Sequence, residues 1–124
     1  MSAAAFLFLI TGVLLNAAAQ LLLKGGTNRL GVITLHAGNW VSTLTRMACE
    51  GYFIAGVVLY GMSLVVWILG LSRVPVSVAY PMLSLGYIVN AVAAHYLFGE
   101  AVTSGRWLGI GFIVVGVYLV ARSA

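Results

Sequence analysis

Apolar residues gather in four long runs, at about positions 3–24, 51–72, 75–98 and 104–122, with polar residues confined to the breaks and to a few sites inside the runs. Each run supplies the roughly 20 residues that a helix rising ~1.5 Å per residue needs to cross a bilayer core. The pattern predicts an all-α integral membrane protein, a single domain over residues 1–124 in which four transmembrane helices form a bundle. Residues 25–50 are the least hydrophobic part of the chain, and a connection of that length tends to carry structure of its own. Within it Trp40, Val41, Leu44, Met47 and Ala48 fall on one helical side, opposite Ser42, Thr43, Thr45 and Arg46. A short interfacial helix over about 39–49 follows, with Asn39 as its cap.

The polar sites inside the runs are not scattered. Asn16, Gln20 and Lys24 recur every four residues and share one face of the first span. In the third span Ser77, Tyr80, Ser84, Tyr87 and His95 fall within a narrow sector, with Asn90 nearby. The stretch from Arg73 to Tyr87 combines two prolines with serine and tyrosine hydroxyls, a composition too polar for a lipid-facing helix. Pro75 suits a first helical turn, and Pro81 removes a backbone donor and predicts a bend beside a cavity. The link Ser72-Arg73-Val74 is short enough to make the second and third spans an antiparallel hairpin, and Thr103 or Ser104 is positioned to cap the fourth. Glycines are frequent in the second span (Gly51, Gly56, Gly61, Gly70) and the fourth (Gly105, Gly109, Gly111, Gly116), where small residues permit close helix packing. Gly105, Gly109 and Gly116 are assigned to dimerisation or bundle packing.

Composition fixes the environment. A chain that is 63% hydrophobic and 6% charged, with mean hydropathy +1.13, has too little polar surface to cover a soluble core. The net charge of +4 comes from six basic residues lying near the ends of the runs, not from a clustered patch, which excludes a nucleic-acid surface and suits membrane-lipid phosphates. Lys24, Arg29, Arg46 and Arg106 fall on one side of the membrane and Arg73 and Arg122 on the other. The bias favours cytoplasmic first and third loops with external termini, and is small enough to permit dual insertion. Ala17-Ala18-Ala19 imitates a cleavage site, but no basic residue precedes the run and Leu21 to Leu23 continue it, so the first span is expected to be retained. Cys49 is alone, giving neither an intrachain disulfide nor a thiolate metal site. With no nucleophile–base pair, paired carboxylates or phosphate-cradling loop, neither an enzyme nor a cofactor is expected.

The segment Val74-Pro75-Val76-Ser77-Val78-Ala79-Tyr80-Pro81-Met82-Leu83-Ser84-Leu85, with Phe98-Gly99-Glu100, Trp107-Leu108-Gly109 and Gly116, resembles the EamA-like drug/metabolite transporter superfamily. The four-span length and Gln20-x-x-x-Lys24 resemble most the small subunits of the flippase for 4-amino-4-deoxyarabinose-phosphoundecaprenol, and next the small multidrug resistance family. The latter carries a membrane-embedded glutamate in its first helix, and the matching position here is Asn16, an amide that does not titrate. The resemblance therefore implies a flippase or exporter subunit for a polyprenyl-phosphate-linked sugar. It also implies a bacterial inner-membrane location, a role in lipopolysaccharide modification, and a homodimer or heterodimer of four-helix protomers. The alternatives are a proton-coupled exporter of small cations and a non-transporting accessory membrane subunit.

The polar sites have competing readings. Asn16 and Gln20 act as interhelical glue or line a cavity, and Lys24 snorkels to the headgroups or clamps a lipid phosphate. Tyr80, Ser84 and Tyr87 line the cavity or pack with satisfied hydroxyls. Glu100 caps the last helix, pairs with Arg106, or recognises a substrate amine. His95 reads as interfacial, and Trp40, Trp67 and Trp107 as interface anchors. The substrate-binding set is Asn16, Gln20, Lys24, Tyr80, Ser84, Tyr87 and Glu100, with Lys24, Arg29 and Arg46 for the lipid phosphate.

Overall fold

The computed structural model describes residues 2–123. Among them are five helices and no strand: α1 (Ala3–Leu30), α2 (Trp40–Ala48), α3 (Gly51–Leu71), α4 (Val76–Phe98) and α5 (Ser104–Arg122). All but α2 are long and apolar enough to cross a membrane. Local chemistry sets their ends. Ser2 Oγ accepts from the Ala5 N–H at 3.1 Å, and Thr103, not Ser104, caps α5 by accepting from the Arg106 N–H at 3.3 Å. Gly31 (φ 80°) and Gly99 (φ 68°) stop α1 and α4 in backbone conformations that only glycine adopts without strain.

α1 does not stop at Lys24. It runs through Gly25 and Gly26 to Leu30, a length of 28 residues or ~42 Å, longer than the hydrocarbon core. Packing overrides the poor helix propensity of the two glycines: a Cβ on Gly26 would lie 2.8 Å from the Phe53 ring, so the absence of one lets α3 approach. Asn39 sits at the start of α2 without capping it. Its amide instead closes the preceding loop, accepting from the His36 N–H at 2.9 Å and donating to the Thr34 carbonyl at 3.0 Å.

α1 is the centre of the bundle, with α3 against one side and α4 against another; α5 packs on α4, while α3 and α4 scarcely touch. α1 and α3 are antiparallel, with contacts running from Gly26–Phe53 through Gly12–Trp67 to Gly70–Leu9. The core comprises Leu9, Val13, Trp67, Ala79, Met82 and Val117. Trp67 is therefore a core residue and not an interface anchor, lying edge-on to Tyr80 at 6.0 Å.

The glycines divide in an unexpected way. Gly12, Gly26, Gly56 and Gly70 make the close helix contacts, whereas Gly51, Gly61, Gly109, Gly111 and Gly116 face open space and Gly105 meets only the Thr103 hydroxyl. The α5 glycines thus play no part in packing this bundle, and α5 buries only Ile110 and Val117. The alternating helix directions gather Lys24, Arg29, Arg46, Glu50, Glu100 and Arg106 at one end. Arg73 lies at the other, its guanidinium 4.7 Å from the Phe8 ring.

Candidate functional site

At the charged end, α1 and α4 separate around a cleft of about 290 Å³. One wall is the stretch of α1 where Gln20 and Lys24 stand one turn apart on the same face. The facing wall is the α4 row Tyr87, Asn90, Ala91, Ala94 and Phe98, whose spacing of three and four keeps it on one side of the helix. Ala91 and Ala94 leave the space that larger side chains would fill. Glu100, Ala101 and Val102 of the α4–α5 connection, with Arg106 from the first turn of α5, form the rim.

The rim is held in place by its backbone. The Glu100 N–H donates to the Ala94 carbonyl at 3.3 Å, and the His95 ring donates through Nδ1 to the Glu100 carbonyl at 2.8 Å. Arg106 Nη1 donates to the Ala101 carbonyl at 2.8 Å. Glu100 neither caps α5 nor pairs with Arg106 among the described residues. Thr103 takes the first role, and the Ala101 carbonyl takes the arginine. The Glu100 carboxylate is left beside the cleft. Lys24 and Arg106 bring donors and positive charge, Glu100 brings negative charge, and Gln20, Asn90 and Tyr87 bring neutral hydrogen-bonding groups. Asn90 Oδ1 is buried without a hydrogen-bond donor from the protein.

Of the residues expected to bind substrate, the cleft joins Gln20, Lys24, Tyr87 and Glu100. Asn16 and Ser84 are half-buried and do not line it, and Tyr80 lies half-exposed against Trp67. The three cations expected at a lipid phosphate are separated. Arg29 borders a different, mostly apolar groove of about 750 Å³ behind Leu21 and Phe98, 3.7 Å from Glu50 and 5.2 Å above the Tyr52 ring. Arg46 edges a small cavity of about 80 Å³ in the first loop. Asn90 and Arg106 are the polar cleft residues that the expected substrate-binding set omits. The spacing of three between Tyr87 and Asn90 was a signal for the former; Arg106 enters only because the short α4–α5 turn folds back.

The sequence pattern of the EamA-like transporter family matches residues 1–122. A probable 4-amino-4-deoxy-L-arabinose-phosphoundecaprenol flippase subunit ArnE of Pectobacterium atrosepticum is 42% identical over 69 residues, covering 56% of this chain and 61% of that protein. A probable ArnF subunit of the same flippase from Erwinia tasmaniensis is 37% identical over 121 residues, covering 95% of this chain and 94% of that protein. An uncharacterized protein, y4nH, of Sinorhizobium fredii is 38% identical over 71 residues, covering 56% of this chain and 61% of that protein. The match to ArnE and y4nH thus spans less than two thirds of their length, whereas the match to ArnF is nearly complete. No solved structure matches.

Proposed function

Because this chain belongs to the EamA-like transporter family and is a multi-pass membrane protein, we propose that it is a flippase subunit for a polyprenyl-phosphate-linked sugar of the 4-amino-4-deoxyarabinose type. It acts in the bacterial inner membrane, beside a second small subunit. The observation that carries this reading is the mixed chemistry of the cleft. A bare cation needs only acidic groups, and a free anion only basic ones. Here Lys24 and Arg106 share one cleft with Glu100 and with the amides of Gln20 and Asn90. That combination matches a head group with a phosphate at one position and hydroxyls and an amine at others.

Each residue then has a role. Lys24 reaches from α1 to the phosphate, a charge-assisted contact worth more than a neutral hydrogen bond. Glu100 faces the sugar amine, and Gln20 and Tyr87 bond ring hydroxyls. Arg106 holds the α4–α5 connection through Ala101 and lends its charge to the rim. The prenyl chain stays in the bilayer beside the apolar helix surfaces, so only the head group leaves water. Asn16, in place of a carboxylate, gives no proton-loading site in α1.

Proteoliposomes containing the purified protein, alone or with its partner subunit, and 4-amino-4-deoxyarabinose-phosphoundecaprenol test this directly. Translocation is expected, and Lys24→Ala is expected to lower it at least tenfold while helix content and expression stay unchanged. Proton-coupled cation uptake with no movement of the lipid would overturn the assignment.

A further inference from the structure

Asn90 is a polar residue that the packing of the fold does not use. It lies inside α4, where asparagine is a poorer helix former than leucine, and its Oδ1 is buried with no donor from the protein. Because Asn90 lines the cleft, that acceptor is served by whatever occupies it, water or a donor group of a ligand. Gln20 and Tyr87 line the same cleft and carry donors, yet neither bonds it. Leucine has the same branched arrangement of heavy atoms in a larger volume and carries no acceptor. Where a sequence breaks a local rule against its own stability, the site is where function is sought.

We propose that Asn90 is the specificity-determining residue of the cleft. Its amide oxygen accepts a hydrogen bond from a hydroxyl or amine of the sugar ring, so the cleft distinguishes a sugar-bearing polyprenyl phosphate from the bare polyprenyl phosphate. This rests on the reading of the cleft as the head-group site. The phosphate is common to both lipids and is held at the rim by Lys24, so it gives affinity without discrimination. Asn90 lies on the α4 wall, and once a head group has displaced water from the cleft its oxygen is paired only if that head group brings a donor. Discrimination of this kind is strong because the lipid lacking the donor leaves the buried oxygen unpaired.

The test uses the full chain in nanodiscs and measures competition among three lipids: undecaprenyl phosphate, the same lipid bearing 4-amino-4-deoxyarabinose, and the same lipid bearing uncharged arabinose. The wild type is expected to prefer the sugar-bearing lipids. Asn90→Leu is expected to lose that preference about tenfold, equivalent to ~1.4 kcal/mol, with unchanged affinity for undecaprenyl phosphate and a raised melting temperature. Asn90→Asp, which keeps an acceptor at the same place, is expected to retain the preference. Loss confined to the amino lipid identifies the amine as the donor, and equal loss for both sugars identifies a hydroxyl; either outcome supports the proposal. An unchanged preference in Asn90→Leu, or a lowered melting temperature with equal loss of all three lipids, overturns it and makes Asn90 a packing residue. Failure of the underlying reading has a different signature. Lys24→Ala would then bind all three lipids as the wild type does, placing the head group outside the cleft.

Discussion

Single glycines decide how closely α1 and α3 approach. A Cβ on Gly56 would lie 2.9 Å from Leu23 Cδ2 and 3.1 Å from the Ala19 carbonyl oxygen; one on Gly70 would lie 2.6 Å from Leu9 Cδ2 and 3.3 Å from the Leu9 backbone nitrogen. A leucine methyl can rotate away but a helix backbone cannot, so Gly56→Ala and Gly70→Ala are each expected to destabilise the bundle by about 1–3 kcal/mol despite alanine's better helix propensity. Gly61→Ala, which meets open space in the same helix, is expected to stay within about 0.5 kcal/mol of the wild type. Reversible unfolding in mixed detergent micelles measures all three, and equal stability of the Gly56 and Gly61 variants would refute the packing account. Spacing in the sequence does not separate these glycines, because it reports periodicity and not which neighbour covers a given face. The same limit explains Trp67, whose aromatic character fits an interface as well as a core. It also explains why Asn16, Tyr80 and Ser84, each on a polar stripe, fall outside the cleft that the stripes pointed to: a stripe fixes an angle around the helix, whereas the cleft occupies only part of its length, residues 20–24 of α1 and 87–98 of α4.

At the scale of elements, the apolar runs made the four long helices legible, since their lengths and the polar breaks between them leave little freedom. The end of α1 was not legible, because Gly25 and Gly26 read as a stop and become helix only when Phe53 and Tyr52 pack over them. α2 is the element with the least support from the rest of the fold. None of its residues is buried, and Trp40, Val41 and Leu44 present apolar surface away from the bundle. A strongly two-sided helix of this kind gains stability by lying in the headgroup layer with Arg46 toward the lipid phosphates. With Cys49 replaced by serine, a spin label at Leu44 is therefore expected to sit deeper in the bilayer than one at Ser42, as read by paired oxygen and nickel accessibility. Equal depths would place α2 in water. Replacing Leu44 by glutamate is expected to release the helix and raise exchange of its amides, leaving α3 unchanged because the two share few contacts.

The whole molecule is polar in one half and sealed in the other. The cleft lies at the end bearing Lys24, Glu100 and Arg106, while Leu9, Val13, Trp67, Ala79, Met82 and Val117 close the interior toward the opposite end. A head group entering the cleft of one protomer therefore meets a packed apolar core before it has crossed, and such cores rearrange only at considerable cost. On the proposed reading, a path across the membrane that leaves this core intact runs along surface that the chain presents outward. α5 is the least buried of the four long helices, and its Gly105, Gly109 and Gly116 leave a smooth strip that no other helix covers among the described residues. Close approach of a second α5 along that strip would bury the helix and set two clefts beside a shared boundary. With this chain and its proposed partner subunit each carrying one dye, leucine at both Gly109 and Gly116 is expected to shift single-molecule photobleaching in liposomes from two steps to one and to abolish lipid translocation. Because the strip lies away from the cleft, binding of undecaprenyl phosphate by the separated protomer is expected to persist. Retained two-step bleaching and transport in that double variant would assign the α5 strip to lipid and require the path to open between α1 and α4 within a single protomer.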